Sequence, residues 1–232
     1  MTSVTMGLKM AGMGPMQSIR KARRADGRAT QARILDSAEV AFAAAPYDGI
    51  SLRRITSEAD VNLALVKYYF NSKENLYAAV VARRATVLRA RRLELLEALP
   101  PDRAPEVSEV LDAFMRPLLD KVLTGDPGWH SYLRILGFMG NEERFNDLSA
   151  ELFDPTARVF FTALQDALPG AAPEDVAHGL GFVILLMLRA LAQEGRAPIL
   201  LEDPTANDDL LAVYHRLLPF CAAGLQEIAR PR

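Results

Sequence analysis

Leu63, Ala64, Lys67 and Tyr68 stand at i, i+1, i+4 and i+5, so a helix through them gathers all four on one face. That face has a definite chemistry. A small apolar pair suits close approach to the floor of the DNA major groove and contact with a thymine methyl, the lysine can donate to guanine or to phosphate, and the tyrosine hydroxyl can reach a phosphate. Val66, Tyr69 and Phe70 fall on the opposite side, where they can pack against Ile55; Tyr69 is also counted with the residues expected near DNA. Arg53 and Arg54 lie in the first turn of a preceding helix, where a cation opposes the helix dipole and a phosphate would explain its presence. Ser51 and Asn62 are N-cap candidates for the two helices, and Lys73, just past the second, is placed for phosphate as well. The set expected at DNA is Ser51, Arg53, Arg54, Asn62, Leu63, Ala64, Lys67, Tyr68, Tyr69 and Lys73.

These residues need a frame, and the surrounding sequence supplies one. Residues 51–70 have the layout of a helix-turn-helix, two short helices joined at Ala59-Asp60-Val61 with the second offered to the groove. Upstream, Ile34, Leu35, Ala38, Ala41 and Phe42 form one helical stripe, with Thr30 as the expected cap. Downstream, Asn71-Ser72 breaks the chain before a long helix over about 73–99. The remainder reads as helices near 106–124, 128–139, 142–168, 173–194 and 205–228, punctuated by Pro, Gly and Asn. No alternating β-branched run appears, so the fold class is all-α: a three-helix DNA-binding domain at 29–75 and a larger helical domain at 76–232. Residues 1–28 read as a disordered basic arm. Five of the eight methionines lie at or before Met16, which leaves room for a translation start later than Met1.

The charge distribution agrees with this division. The chain has 232 residues and a net charge of −2, yet residues 1–92 hold 16 Lys and Arg against 7 Asp and Glu, while 93–232 hold 11 against 22. A basic end on an acidic body points to a polyanion at one end only. A lone cysteine, Cys221, forms no intrachain disulfide and reads as a small buried apolar residue. His130, His178 and His215 have no metal-ligand spacing, so no metal or cofactor is expected. The longest apolar run, 179–188, spans 10 residues, about half of what a bilayer requires, and a cytoplasmic protein without a membrane segment is expected. Phosphate-binding glycine loops and nucleophile or metalloprotease motifs are missing, so an enzyme is not expected. A helical lipid carrier or membrane-surface protein, with the basic arm on anionic lipid, is the competing class.

TQARILDSAEVAF, ISLRRITSEADVNLALVKYYF and NSKENLY together resemble the N-terminal domain of the TetR family of bacterial transcriptional repressors, over about residues 28–80. Two positions depart from the family pattern. Asp60 stands where glycine is frequent, and Arg54 stands where an acidic residue would complete a capping box. The resemblance implies a cytoplasmic homodimer that binds a double-stranded DNA operator and is released by a small molecule, and it assigns ligand binding and dimerisation to the larger domain at 76–232. WHSYLRILGF, LFDPTARVFFTAL and LLPFCAAGLQ further resemble ligand domains of family members that respond to fatty acids or their derivatives. Trp129, His130, Tyr132, Arg134, Phe138, Phe160 and Phe161 are the expected contacts to a small apolar effector, joined by Leu136 and Phe153, with Arg134 or His130 meeting a carboxylate. The aromatics among them also fit ordinary core. Arg83, Arg84, Arg89, Arg91 and Arg92 are expected on a solvated basic face of the long helix. Residues 173–194 are apolar on nearly every side, which calls for neighbours from a second subunit, with His178 and Arg189 at that seam.

Overall fold

The computed structural model describes the backbone of residues 15–140, 142–192, 197–205 and 209–230, and side chains from Asp26 onward. Among these residues the chain is all-α: α1 (Pro15–Ala44), α2 (Leu52–Glu58), α3 (Leu63–Phe70), α4 (Lys73–Glu97), α5 (Val107–Leu123), α6 (Pro127–Met139), α7 (Asn146–Ala167), α8 (Pro173–Leu191), the single turn α9 (Ala197–Leu200) and α10 (Leu210–Ile228). Two 3-10 turns, Tyr47–Gly49 and Glu143–Phe145, sit before α2 and α7.

The start of α1 differs from expectation. Helix is described from Pro15, inside the stretch expected as a disordered arm, and residues 1–14 lie outside the described set. Proline is favoured in a first helical turn, and the segment that follows is rich in good helix formers. Thr30 is therefore an interior residue rather than a cap, and its hydroxyl donates to the Asp26 carbonyl at 2.9 Å. The last helix starts at Leu210 rather than 205, where Asp209 accepts from the Ala212 amide at 2.9 Å. The stretch 142–168 divides into a 3-10 turn and α7.

Ile34, Ala38, Ala41 and Phe42 of α1 are buried as the stripe requires. The small domain meets the body at two places. In the first, the side chains of Glu39 and Arg84 are only 5% and 13% exposed; Glu39 accepts from Arg84 Nε and Nη2, both at 2.7 Å, and from Arg83 Nη2 at 2.9 Å. Arg84 reaches on to Asp126 at 2.9 Å and lies over the Trp129 ring, 4.6 Å from its centroid. Its hydrogen bond to Glu39 holds the guanidinium pKa above its ordinary value. Gly128 permits this approach, because a Cβ there would collide with Arg84 Nη2. In the second place, Phe145 stacks on Tyr77 at a centroid distance of 4.5 Å and meets Tyr47 edge-on at 5.3 Å, and Arg144 grips Asp48 through two bonds of 2.7 and 2.8 Å.

Removing one partner of a mostly buried ion pair leaves the other desolvated and unmatched. Glu39→Gln is expected to cost about 3 kcal/mol in urea unfolding. A change under about 1 kcal/mol would show that the pair does not anchor α1 to the body.

Candidate nucleic-acid interface

The helix-turn-helix is assembled from local bonds legible in its residues. Ser51 Oγ accepts from the Arg54 amide at 3.2 Å and starts α2. Asp60 takes a left-handed φ of 49° in the turn, which aspartate tolerates better than most residues, so its replacement of glycine preserves the geometry. Asn62 Oδ1 accepts from the Ala64 amide at 2.8 Å and starts α3. Asn71, at φ 67°, ends α3, and Ser72 caps α4 through the Asn75 amide at 3.1 Å.

Val66 and Phe70 bury one side of α3 with Ile55, while Lys67 and Tyr68 face solvent, Tyr68 at 79% exposure. Ala64 is exposed and Leu63 half-buried. No hydrogen bond or ion pair holds the side chains of Lys67 or Arg53 among the described residues, so both cations are available to a polyanion. Three expected positions behave differently. Arg54 Nε bonds Glu58 Oε1 at 2.9 Å, a local pair one turn apart that accounts for its place without a phosphate. Tyr69 is half-buried with its hydroxyl against α1, where a Cβ on Gly27 would come within 3.2 Å of it. Lys73 turns inward, its ammonium 2.6 Å from the Tyr47 carbonyl and 3.9 Å from the centroid of that ring. Burial holds its pKa below the ordinary lysine value.

Residues 34–80 match the family described as bacterial regulatory proteins, tetR family, and residues 112–224 match the tetracyclin repressor-like C-terminal domain. The chain belongs to the TetR family of bacterial transcriptional regulators. It is accordingly a DNA-binding regulator rather than an enzyme. Its fold is similar to that of a protein of Pseudomonas aeruginosa PAO1 assigned as a transcriptional regulator, with TM-score 0.61, 16% identity, and 86% of this chain and 93% of that one covered. It is also similar to HlyIIR, a hemolysin II transcriptional regulator, at TM-score 0.54, 20% identity, and 83% and 98% coverage. A TetR-family protein of Mesorhizobium loti MAFF303099 aligns at TM-score 0.51, 15% identity, and 87% and 96% coverage. No curated protein matches the chain.

In the larger domain of this regulator, a cavity of about 240 Å³ lies between α4, α5, α6, α7 and α8. Tyr132, Leu136 and Phe153 line it. The other expected ligand contacts do not. Trp129 is buried against Arg84, Phe160 packs on Phe114 at 5.0 Å, Phe138 and Phe161 are half-buried elsewhere, and His130 and Arg134 point to solvent. The cation that does line the cavity is Arg92, expected on a solvated face but only 9% exposed. Its position was findable, since Val81, Ala85, Leu88 and Arg92 continue one buried stripe at i, i+4, i+7 and i+11. Arg83 and Arg84 are committed to acidic partners, whereas Arg89 and Arg91 do lie exposed. Cys221 is buried, and burial pushes its thiol pKa up. Among the described residues no helix is long and apolar enough to cross a membrane, and no side-chain group could hold a metal ion.

Lys73→Met is expected to destabilise the fold by about 1 kcal/mol through its lost bond to Tyr47. The salt dependence of DNA binding should stay unchanged. A slope reduced by about one unit in titrations across NaCl concentrations would return Lys73 to the interface.

Proposed function

We propose that this regulator is a cytoplasmic homodimeric repressor, released from a palindromic operator when a small ligand fills the cavity beneath α4. The observation that carries the reading is the outward side of α3, where Lys67 has no partner among the described residues and Tyr68 is exposed beside it. Leu63 and Ala64 approach bases, Lys67 donates to guanine or phosphate, and Tyr68 and Arg53 meet phosphates. Ser51 and Asn62 offer the capped N-termini of α2 and α3 to the backbone. Arg54, Tyr69 and Lys73 serve the frame instead.

Dimerisation is supported by an unpartnered apolar face. His178, Phe182 and Leu185 follow one another along an exposed stripe of α8, with Phe182 at 56% exposure. On the adjoining α10, Phe220 and Ile228 are exposed on either side of Gly224, where a Cβ would meet nothing within 4 Å. Large exposed apolar side chains beside small ones mark a surface for close helix packing. Pairing α8 and α10 across a two-fold axis gives two recognition helices, and a palindrome requires them about 34–36 Å apart, or a multiple of that spacing.

Release follows from population shift: a ligand favouring a state with the readers out of register lowers operator affinity by its differential affinity for the two states. The lever is α4. Leu88 and Arg92 line the cavity, while Arg83 and Arg84, about 12 Å along the same helix, hold Asp36 and Glu39 of α1.

Lys67→Ala should weaken operator binding by about 1–3 kcal/mol in a mobility-shift titration; unchanged affinity would sink the assignment of α3 as the reader. The double change Phe182→Glu with Phe220→Glu should yield a folded monomer by sedimentation and lose high-affinity operator binding. A persisting dimer would exclude α8 and α10 as the seam.

A further inference from the structure

The cavity is not lined only by hydrocarbon. Arg92 donates from Nε to the Phe114 carbonyl at 2.8 Å, and its guanidinium carbon lies 4.0 Å from the centroid of the Phe114 ring. Its terminal nitrogens have no hydrogen bond or ion pair among the described residues. A guanidinium offers five donors, and a buried one is stable only when charge and donors are answered. A carbonyl and a ring face answer part of that demand, and the terminal nitrogens, which no atom of the described residues meets, stay open to the cavity. Burial accordingly pushes the Arg92 pKa down to about 10, which still leaves it charged at neutral pH.

Tyr132 supplies a second unanswered group. It is 1% exposed, lines the same cavity, and its hydroxyl has no hydrogen-bond partner among the described residues. Among the described residues no Asp or Glu lines the space; Leu88, Leu118, Leu136, Ile184 and Met187 form much of the wall. An apolar chamber with one unneutralised cation and one free hydroxyl is complementary to an apolar body bearing a single anionic head.

We propose that the cavity binds a compact organic monocarboxylate, its head group held by Arg92 and Tyr132 and its body by the aliphatic wall. This rests on the reading of the cavity as the effector site, and it names the class of effector. The carboxylate accepts from the terminal nitrogens of Arg92 and from the Tyr132 hydroxyl. The volume limits the rest of the molecule: about 240 Å³ is below the roughly 300–1,000 Å³ usual for drug-sized ligands. A short acyl chain or one aromatic ring fits; a long fatty acid does not.

The test is calorimetric titration and thermal shift of the full chain with hexanoate, benzoate, their neutral amides and hexadecanoate, alongside operator release by mobility shift. Hexanoate or benzoate should bind and raise the melting temperature. The amides should bind about 10- to 100-fold more weakly, the range for hydrogen bonds to a charged group, and hexadecanoate should not bind. Arg92→Met removes a buried unpaired charge and should fold at least as well as the parent while losing the preference for acid over amide. Tyr132→Phe should weaken the acid by about 10-fold. Equal binding of acid and amide, retention of the preference by Arg92→Met, or no binding of either short acid overturns the proposal. Acid binding that follows these rules without any change in operator affinity leaves the anion site standing and overturns the effector reading.

Discussion

The Glu39–Arg84 pair is the constraint on which the relation between the two parts of this protein depends. Two charges this withdrawn from water are tolerable only with close geometry and further partners. Here Arg83 and Asp126 provide those partners, and Trp129 covers the guanidinium with its ring. Arg84 belongs to α4, Glu39 to α1, and Asp126 caps α6 by accepting from the Gly128 amide at 2.9 Å. One cation thus fixes three helices, and the absence of a side chain at Gly128 makes the approach sterically open. This cluster, together with the Tyr47/Tyr77–Phe145 and Asp48–Arg144 contacts, holds the orientation of the reader relative to the body.

α4 gains a dual character from its sequence. Toward α1 its arginines find acid partners and are structural; two turns further on, Arg92 faces an apolar chamber and finds none. The same residue type on the same helix is neutralised in one place and left wanting in the other. That contrast identifies the cavity as chemically incomplete, and it places the incompleteness on the element that also carries the reader.

Much of the DNA-binding domain was legible because its signals are local. The caps Ser51, Asn62 and Ser72, the left-handed Asp60 and the division of α3 between Val66/Phe70 and Lys67/Tyr68 all follow from neighbours a few residues away. The charged residues were harder to read. Lys73 finds the Tyr47 carbonyl 26 residues away, and Arg84 finds Glu39 across 45, partnerships that no helical period reveals. Arg92 was misassigned for the opposite reason: its period marked it as buried, and its charge argued for solvent. Trp129 and Phe160 were aromatic enough to suggest a pocket, but they fill packing space, as most large aromatics do.

The two places where reader and body meet differ in their access to water. Glu39 and Arg84 are almost enclosed, whereas Asp48 and Arg144 retain 70% and 49% of their side-chain exposure. Dissolved ions screen exposed charges far more than enclosed ones. Raising ionic strength therefore loosens the ionic half of the outer clasp, while its enclosed rings Tyr47, Tyr77 and Phe145 and the inner pair keep their grip, so the electrolyte around the molecule trims the stiffness of the joint without undoing it.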